Sequence, residues 1–220
     1  MREKITRTDD WPLFRLIIPA YPEVNIYSRI AKKTTALGPI MVGTVANKLW
    51  GWRVEVIDEN NCHRRRQAPL ADNGLVDHQK LQQENPAQVI GFYAGLSSTM
   101  ERIWQLAKFY KGLGTITIAG GWHCHYQPAE SLQKNIDIIV HGEAEVVIQQ
   151  LLTKIINQES VADIPGLSWL DQQGQIMTSP PAMLRVVNLN ELPYPDFGLL
   201  RFAKMKIYPI SRIRGLQPRL

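Results

Sequence analysis

Short apolar runs alternate along most of the chain with stretches that carry helical spacing or capping signals. The runs are rich in β-branched and aromatic side chains, which is typical of buried strands. The predicted strands are residues 14–19, 52–57, 88–94, 115–119 and 137–140. The predicted helices are residues 37–50, 77–83, 99–110 (with Thr99 as a capping residue), 128–132 and 143–156. This alternation predicts an α/β fold, a doubly wound five-stranded parallel sheet with helices on both faces and right-handed crossovers.

The pattern changes after residue 158. Residues 166–170 and 175–178 are two short apolar segments around a polar Asp-Gln-Gln-Gly turn, which predicts a hairpin. Residues 190–197 are rich in proline and are interpreted as an ordered linker. The predicted organisation is therefore an α/β domain at 12–158, a hairpin and linker at 159–200, and the start of a further domain at 201–220.

Composition favours a folded protein in a reducing compartment. Apolar residues make up 45% of the 220 residues and charged residues 20%, enough to fill a core. No apolar run approaches the roughly 18 residues of a membrane span, and the charged N-terminus lacks the apolar region of a signal peptide. The two cysteines, Cys62 and Cys124, have no CxxC spacing and are expected to be free thiols. We expect a cytoplasmic location and no membrane span.

Basic residues cause the net charge of +5 and are clustered. One run covers residues 63–66, and a second group of six basic residues lies at the C-terminal end between Arg201 and Arg219. Such runs can bind nucleic acid, but no helix-turn-helix, zinc-finger or RNP signature accompanies them. We interpret them as a solvated loop and an exposed tail, and expect no nucleic-acid partner.

Ligands of open α/β sheets bind beyond the carboxyl ends of the strands. That rule selects the loops at 19–25, 93–98, 120–127 and 141–145. Gly120 and Gly121 follow a buried strand directly, so they indicate either close approach of a ligand or a tight turn. Glu143, after His141 and Gly142, is either a ligand contact or a helix cap. There is no GxGxxG and no P-loop signature.

Three consecutive residues in the 120–127 loop, His123, Cys124 and His125, are candidate metal ligands. A zinc site needs three or four converging ligands, and no other segment supplies an obvious partner set. We therefore interpret them as polar loop residues and predict no metal site.

The order of these segments resembles the N-terminal cobalamin-binding domain of cobalamin-dependent radical S-adenosylmethionine (SAM) enzymes. Residues 118–130 (IAGGWHCHYQPAE) are similar to the loop after the fourth strand of that domain, and 138–145 (IIVHGEAE) to its Gly-Glu-x-Glu element. Residues 37–39 and 53–60 match its first helix and second strand, and 164–167 with 192–196 resemble the bridge into the radical SAM barrel. The resemblance covers residues 12–214.

The resemblance implies a flavodoxin-like fold and cobalamin as the cofactor. Iron–sulfur and SAM chemistry would belong to the full-length relative, and a separate radical SAM catalytic chain is a candidate partner. Whether this chain alone is an enzyme is left open, and no catalytic residue is assigned. The candidate cofactor-binding residues are Pro19, Ala20, Tyr21, Tyr93, Ala94, Gly95, Gly120, Gly121, Trp122, His123, His141, Gly142 and Glu143.

Two departures from the family pattern stand out. The loop after the first strand lacks the Asp-x-His-x-x-Gly motif whose histidine binds cobalt in mutases. Residues 213–215 are followed by Leu-Gln-Pro-Arg-Leu instead of the Cys-x-x-x-Cys-x-x-Cys motif, so we expect no iron–sulfur cluster in this chain. The alternatives are a stand-alone binding or regulatory module for a nucleotide-like ligand, or a catalytically dead product of a truncated gene.

Overall fold

The computed structural model describes residues 10–22, 34–180 and 190–203. Its strands are β1 (Leu13–Ile18), β2 (Arg53–Asp58), β3 (Val89–Tyr93), β4 (Ile116–Gly120), β5 (Ile138–Val140), β6 (Leu167–Leu170) and β7 (Ile176–Thr178). Its helices are α1 (Leu37–Ala46), α2 (His78–Glu84), α3 (Met100–Gly112), α4 (Trp122–Tyr126), α5 (Pro128–Gln133) and α6 (Ala144–Ile156). The predictions for residues 23–25 and 204–220 lie outside the described residues.

The strands form one sheet in the order β2-β1-β3-β4-β5-β6-β7. β1 to β5 are parallel, in the order that the flavodoxin-like fold has, so this part of the prediction is confirmed. Strand residues alternate between two cores: Phe14, Leu16 and Ile18 face α1 and α6, whereas Leu13 and Ile17 face the core that contains α3.

The sheet has seven strands in the described part of the chain, so the predicted number of five was too small. The hairpin forms as predicted, but β6 pairs antiparallel with β5 and extends the sheet. The three-residue β5 would otherwise leave its backbone N–H and C=O groups unpaired at an edge, and β6 satisfies them.

Two local predictions were also wrong. Residues 122–126 form the short helix α4, although they have too few apolar positions to show a helical period. Thr99 precedes α3, but its hydroxyl donates to the carbonyl of Leu96 at 2.8 Å and caps no helix N–H. An alternative local bond of this kind is common for threonine at a turn.

The described part of the predicted linker packs against the α/β domain. Leu199 is buried in the core that contains α1, and the backbone N–H of Arg201 donates to Val56 of the edge strand β2 at 3.0 Å. The backbone N–H of Asp196 donates to the Thr44 hydroxyl in α1 at 2.8 Å. The segment therefore covers the outer edge of β2, and the domain boundaries proposed from the sequence stay a prediction.

No helix in the described ranges is long and apolar enough to cross a membrane. The basic run at 63–66 is exposed, with residues 64–66 in a short 3₁₀ helix, as the solvated-loop interpretation predicts.

Candidate functional site

A cavity of about 180 Å³ opens at the carboxyl edge of the sheet, on the face covered by α1 and α6. Its floor is the sheet, and its sides are the start of α1 and the loop that leads into α6. Its lining residues are Phe14, Leu16, Gly38, Pro39, Val42, Gly91, Phe92, Tyr93, Ile118, Gly120, Gly121, Val140, Gly142, Glu143, Ala144, Glu145 and Ile148. Most of these are apolar or glycine, so the cavity is suited to an apolar group.

Gly91 and Gly120 keep the floor of the cavity free of side chains, but for different reasons. A Cβ at Gly91 would lie 2.7 Å from a methyl carbon of Leu16 and 3.0 Å from the Phe14 ring, so any larger residue would force these packed side chains to shift. A Cβ at Gly120 would lie 3.6 Å from the carbonyl oxygen of Val140, an ordinary contact. Ile118 faces the α1/α6 core, so Gly120, two residues on, faces the same side. The missing side chain of Gly120 therefore leaves space that a ligand can use.

Gly121 has a backbone role. Its φ is +126°, and a Cβ there would lie 2.6 Å from the carbonyl carbon of Ala94. The N–H of Ala94 donates to Gly120 at 2.8 Å, and the N–H of His123 donates to Ala94 at 3.1 Å. The loops after β3 and β4 are thus joined backbone to backbone, and this junction requires a glycine.

Five of the predicted site residues line the cavity: Tyr93, Gly120, Gly121, Gly142 and Glu143. Glu143 is the residue before α6, but its side chain makes no capping hydrogen bond, so the capping alternative finds no support. The sequence prediction missed the α1 residues Gly38, Pro39 and Val42. The segment 37–39 belongs to the family resemblance, and it was the signal that could have found them.

The loop after β1 lies next to the cavity at the same edge. Pro19 and Tyr21 share a shallow hollow with Tyr93, which also lines the cavity. Burial raises the pKa of the Tyr21 phenol, and the neighbouring Tyr93 and Asp58 raise it further. Tyr21 is therefore a neutral hydrogen-bonding group at neutral pH.

The side chains of α4 diverge. Cys124 is buried beside the Ser131 hydroxyl, at 3.4 Å, whereas His123 lies 2.9 Å from the Ser97 hydroxyl and 3.2 Å from the Glu130 carboxylate. The consecutive His-Cys-His residues thus point to different surroundings. No group of three metal-binding side chains occurs within the described ranges.

Trp122 and Tyr126 extend from α4 into solvent. Both are about two-thirds exposed, and their rings stack with centroids 5.8 Å apart. Trp122, with Gly95 and His123, borders a second shallow hollow beside the edge. Ala94 is fully buried, so of the residues predicted in the 93–98 loop only Tyr93 and Gly95 present a surface.

His141 points away from the cavity, towards the hairpin. Its Nε2 lies 2.8 Å from the Ser168 hydroxyl and its Nδ1 3.3 Å from the Nδ1 of His125. Burial lowers the pKa of His141, and the adjacent His125 lowers it further. A neutral imidazole is therefore expected at neutral pH.

A buried ionic network lies behind the loop after β1, and the sequence analysis missed it. Residues 58–61 are all polar and follow β2 or end it, yet all four are buried. Glu59 accepts two bonds from the Arg102 guanidinium, at 2.6 Å on Oε1 and 3.0 Å on Oε2, and His78 Nε2 lies 3.1 Å from the same Oε1. His78 Nδ1 lies 2.8 Å from the Tyr110 hydroxyl. Only tertiary structure brings these distant residues together.

The pKa values decide the direction of these hydrogen bonds. Burial would raise the pKa of Glu59, but hydrogen bonds from His78 and Arg102 outweigh it and lower the pKa to about 2. Burial lowers the pKa of His78, and this outweighs the opposite effect of Glu59. His78 is thus neutral, with Nε2–H donating to the Glu59 carboxylate and Nδ1 accepting from Tyr110.

Glu59 makes stability depend on pH in the acid range. A folded-state pKa of about 2, against an ordinary 4.5, means that the stabilisation is complete above pH 4.5 and is lost as pH falls towards 2. The shift corresponds to about 3 kcal/mol. Urea unfolding between pH 2 and 6 measures it. Glu59→Gln should be less stable at pH 6 and should show a much flatter acid dependence; a variant with the wild-type slope would contradict this assignment.

No family model matches the chain. Among curated proteins, the anaerobic magnesium-protoporphyrin IX monomethyl ester cyclase of Rubrivivax gelatinosus is 28% identical over 117 residues, which is 51% of this chain and 20% of that protein. Among solved structures, the cobalamin-dependent SAM radical enzyme OxsB with aqua-cobalamin bound superposes with a TM-score of 0.63 at 16% identity, over 85% of this chain and 24% of OxsB.

The radical SAM methyltransferase TsrM from Kitasatospora setae, solved with cobalamin and a [4Fe-4S] cluster, gives a TM-score of 0.56 at 20% identity. That match covers 79% of this chain and 30% of TsrM. The chain has the fold of part of a cobalamin-dependent radical SAM enzyme. The resemblance predicted from the sequence is thereby confirmed at the level of fold, and the chain spans less than a third of these relatives.

Proposed function

We propose that this chain binds cobalamin at the carboxyl edge of its sheet, with one end of the ligand in the cavity beside Gly120. The cavity carries the proposal, because it is apolar and lies where the three loops predicted to bind the cofactor after β3, β4 and β5 meet. The volume of the cavity is enough for part of the ligand only. At about 180 Å³ it is below the roughly 300 Å³ of a typical small-ligand pocket, so a larger ligand would leave most of its body outside.

Cobalamin has the shape that such a site accommodates. Its nucleotide tail ends in a flat apolar base, and its macrocycle carries amide side chains that need hydrogen-bonding partners. Gly120, Pro39 and Val42 would hold the apolar end. Tyr21, His123 and the backbone around Gly142 would face the polar periphery.

When bound, cobalamin supplies cobalt-centred chemistry such as methyl transfer, and the protein's part is to hold and orient it. The chain's own contribution is a preformed edge, with a backbone junction between two loops and an apolar cavity beside it. This chain covers 24% of OxsB and 30% of TsrM. We therefore propose that a separate radical SAM catalytic chain would carry out the reaction for which this chain holds cobalamin. The cytoplasmic location likewise stays a prediction.

Titration with hydroxocobalamin tests the proposal. We expect saturable changes in its visible spectrum and colour that remains with the protein after desalting. Folded protein that retains no colour would contradict the proposal. Retention of a nucleotide instead of cobalamin would favour the alternative, a module for a nucleotide-like ligand.

Gly120→Leu should weaken hydroxocobalamin binding at least tenfold, about 1.4 kcal/mol, while the domain stays folded. The leucine Cβ has room, and the rest of its side chain would occupy the cavity. The matched control is Gly112→Leu, at the end of α3, where a Cβ meets no atom within 4 Å and which does not line the cavity beside Gly120. Equal binding by both variants, measured by spectral titration, would place the ligand elsewhere.

A further inference from the structure

Two buried side chains directly after β2, those of Glu59 and Asn60, form hydrogen bonds with the loop after β1. Glu59 Oε2 accepts the backbone N–H of Ala20 at 2.9 Å. Asn60 Oδ1 accepts the backbone N–H of Tyr21 at 2.9 Å, and Asn60 Nδ2 donates to the carbonyl of Pro19 at 3.0 Å. The Pro19 carbonyl and the Ala20 and Tyr21 N–H groups are thus bound by side chains of the turn after β2, and neither N–H is left for a ligand.

Glu59 is itself held on every side. Its side chain is 0% exposed, and its two oxygens receive the Arg102 guanidinium, the His78 ring N–H and the Ala20 N–H. Behind His78 the chain of bonds continues through Tyr110 to Arg15 Nη1, which lies 3.5 Å from the Tyr110 hydroxyl. A buried carboxylate is costly to desolvate, and apolar residues often replace such pairs without loss of stability. This indicates that the Glu59 carboxylate has a role besides stability. The chain of hydrogen bonds that runs through Glu59 ends at the Ala20 N–H, in the loop at the ligand edge.

We propose that Glu59 and Asn60 are positioning residues that fix the 19–21 segment, and with it the Tyr21 side chain, in the conformation that binds the ligand. This inference rests on the proposed function. It deepens that function by assigning the loop's contribution to the Tyr21 side chain instead of the backbone N–H groups, because those are already bonded to Glu59 and Asn60.

The fold supplies a matched control. Glu55 is a second buried carboxylate of the same network; it pairs with Arg15 at 2.6 Å, and its side chain is 6% exposed. The hydrogen bonds and ion pairs described for Glu55 involve Arg15, Asn85 and Arg201, and none involves the 19–21 segment. Glu59→Gln and Glu55→Gln therefore remove comparable buried charges, but only the first disturbs the loop.

The experiment measures two properties of each variant in the full chain. Amide hydrogen exchange of Ala20 and Tyr21, without ligand, reports on the loop, and hydroxocobalamin titration reports on the edge through both affinity and the visible spectrum of the bound form. We expect Glu59→Gln to speed exchange at Ala20 and Tyr21 and to weaken binding, each at least tenfold, with an altered bound spectrum. Glu55→Gln should lose similar stability but keep both properties near wild type.

Wild-type protection at Ala20 and Tyr21 in Glu59→Gln would overturn the inference, as would equal weakening of binding in Glu55→Gln. If Glu59→Gln fails to fold, Asn60→Ala provides the same two readouts, because it removes both Asn60 bonds to the loop and leaves the ionic network intact. If wild-type protein binds no hydroxocobalamin, the proposed function fails, and the exchange measurement alone still decides whether these residues fix the loop.

Discussion

Gly121→Ala should lower the free energy of unfolding by about 3 kcal/mol or more, because strain at a position of positive φ adds to a clash with backbone. The φ of +126° is one that side-chain-bearing residues rarely adopt. The added Cβ would lie 2.6 Å from the carbonyl carbon of Ala94 and 2.9 Å from the backbone nitrogen of Gly95. Backbone atoms cannot turn aside as a flexible side chain can, so the two loops would have to separate. Urea or thermal unfolding measures the loss.

Gly142→Ala separates the two causes. Gly142 has a φ of +76°, yet a Cβ there meets no atom within 4 Å. It should therefore show only the conformational cost, about 1 kcal/mol. Equal losses in the two variants would show that the contact with Ala94 contributes nothing. From the sequence, Gly121 indicated either close approach of a ligand or a tight turn; the contact with the Ala94 backbone favours the turn, so we expect a larger side chain there to impair folding before it impairs ligand binding.

Arg15→Met should cost about 3–5 kcal/mol of stability, since it leaves the buried Glu55 carboxylate without its close cation and with only the half-exposed Arg201 at 3.9 Å. Arg15 is 0% exposed on β1, between β2 and β3, and its guanidinium donates to Glu55 at 2.6 Å and to Gln82 at 2.8 Å. Methionine keeps much of the side-chain volume but supplies none of these donors, so the loss reports on charge more than on packing. Chemical denaturation at neutral pH measures the change.

Two companion variants test the reason. Arg15→Met combined with Glu55→Leu should recover most of the loss, because no unpaired charge then remains. Lys80→Ala removes an exposed pair with Glu84 at 3.8 Å, with both side chains 58% exposed, and should change stability by less than about 0.5 kcal/mol. A double variant as unstable as Arg15→Met alone would mean that the loss came from packing.

Most strands and helices of the α/β fold could be predicted from the sequence because the patterns that indicate them are local. The apolar runs of β1 to β5 and the periodic α3 and α6 carry their own patterns, and short buried strands alternating with helices permit few topologies. Gly120 and Gly142 could be predicted as site residues because each follows the end of a predicted strand, and the carboxyl ends of parallel strands meet at one edge of the sheet. The hairpin was likewise visible from its polar turn.

Features that depend on contacts between residues far apart in sequence were decided only by the tertiary structure. The pattern of β6 gives no information about its neighbour, so its addition to the exposed edge of β5 could not be predicted. Glu59, His78 and Arg102 look like ordinary surface residues in sequence, because hydropathy records a charge but not the countercharge that permits its burial. The same limit applies to the adjacent glycines Gly120 and Gly121, which look alike in sequence. In the structure, the distance of Val140 from Gly120 leaves space that a ligand can use. The close approach of the Ala94 backbone to Gly121, by contrast, requires a glycine there.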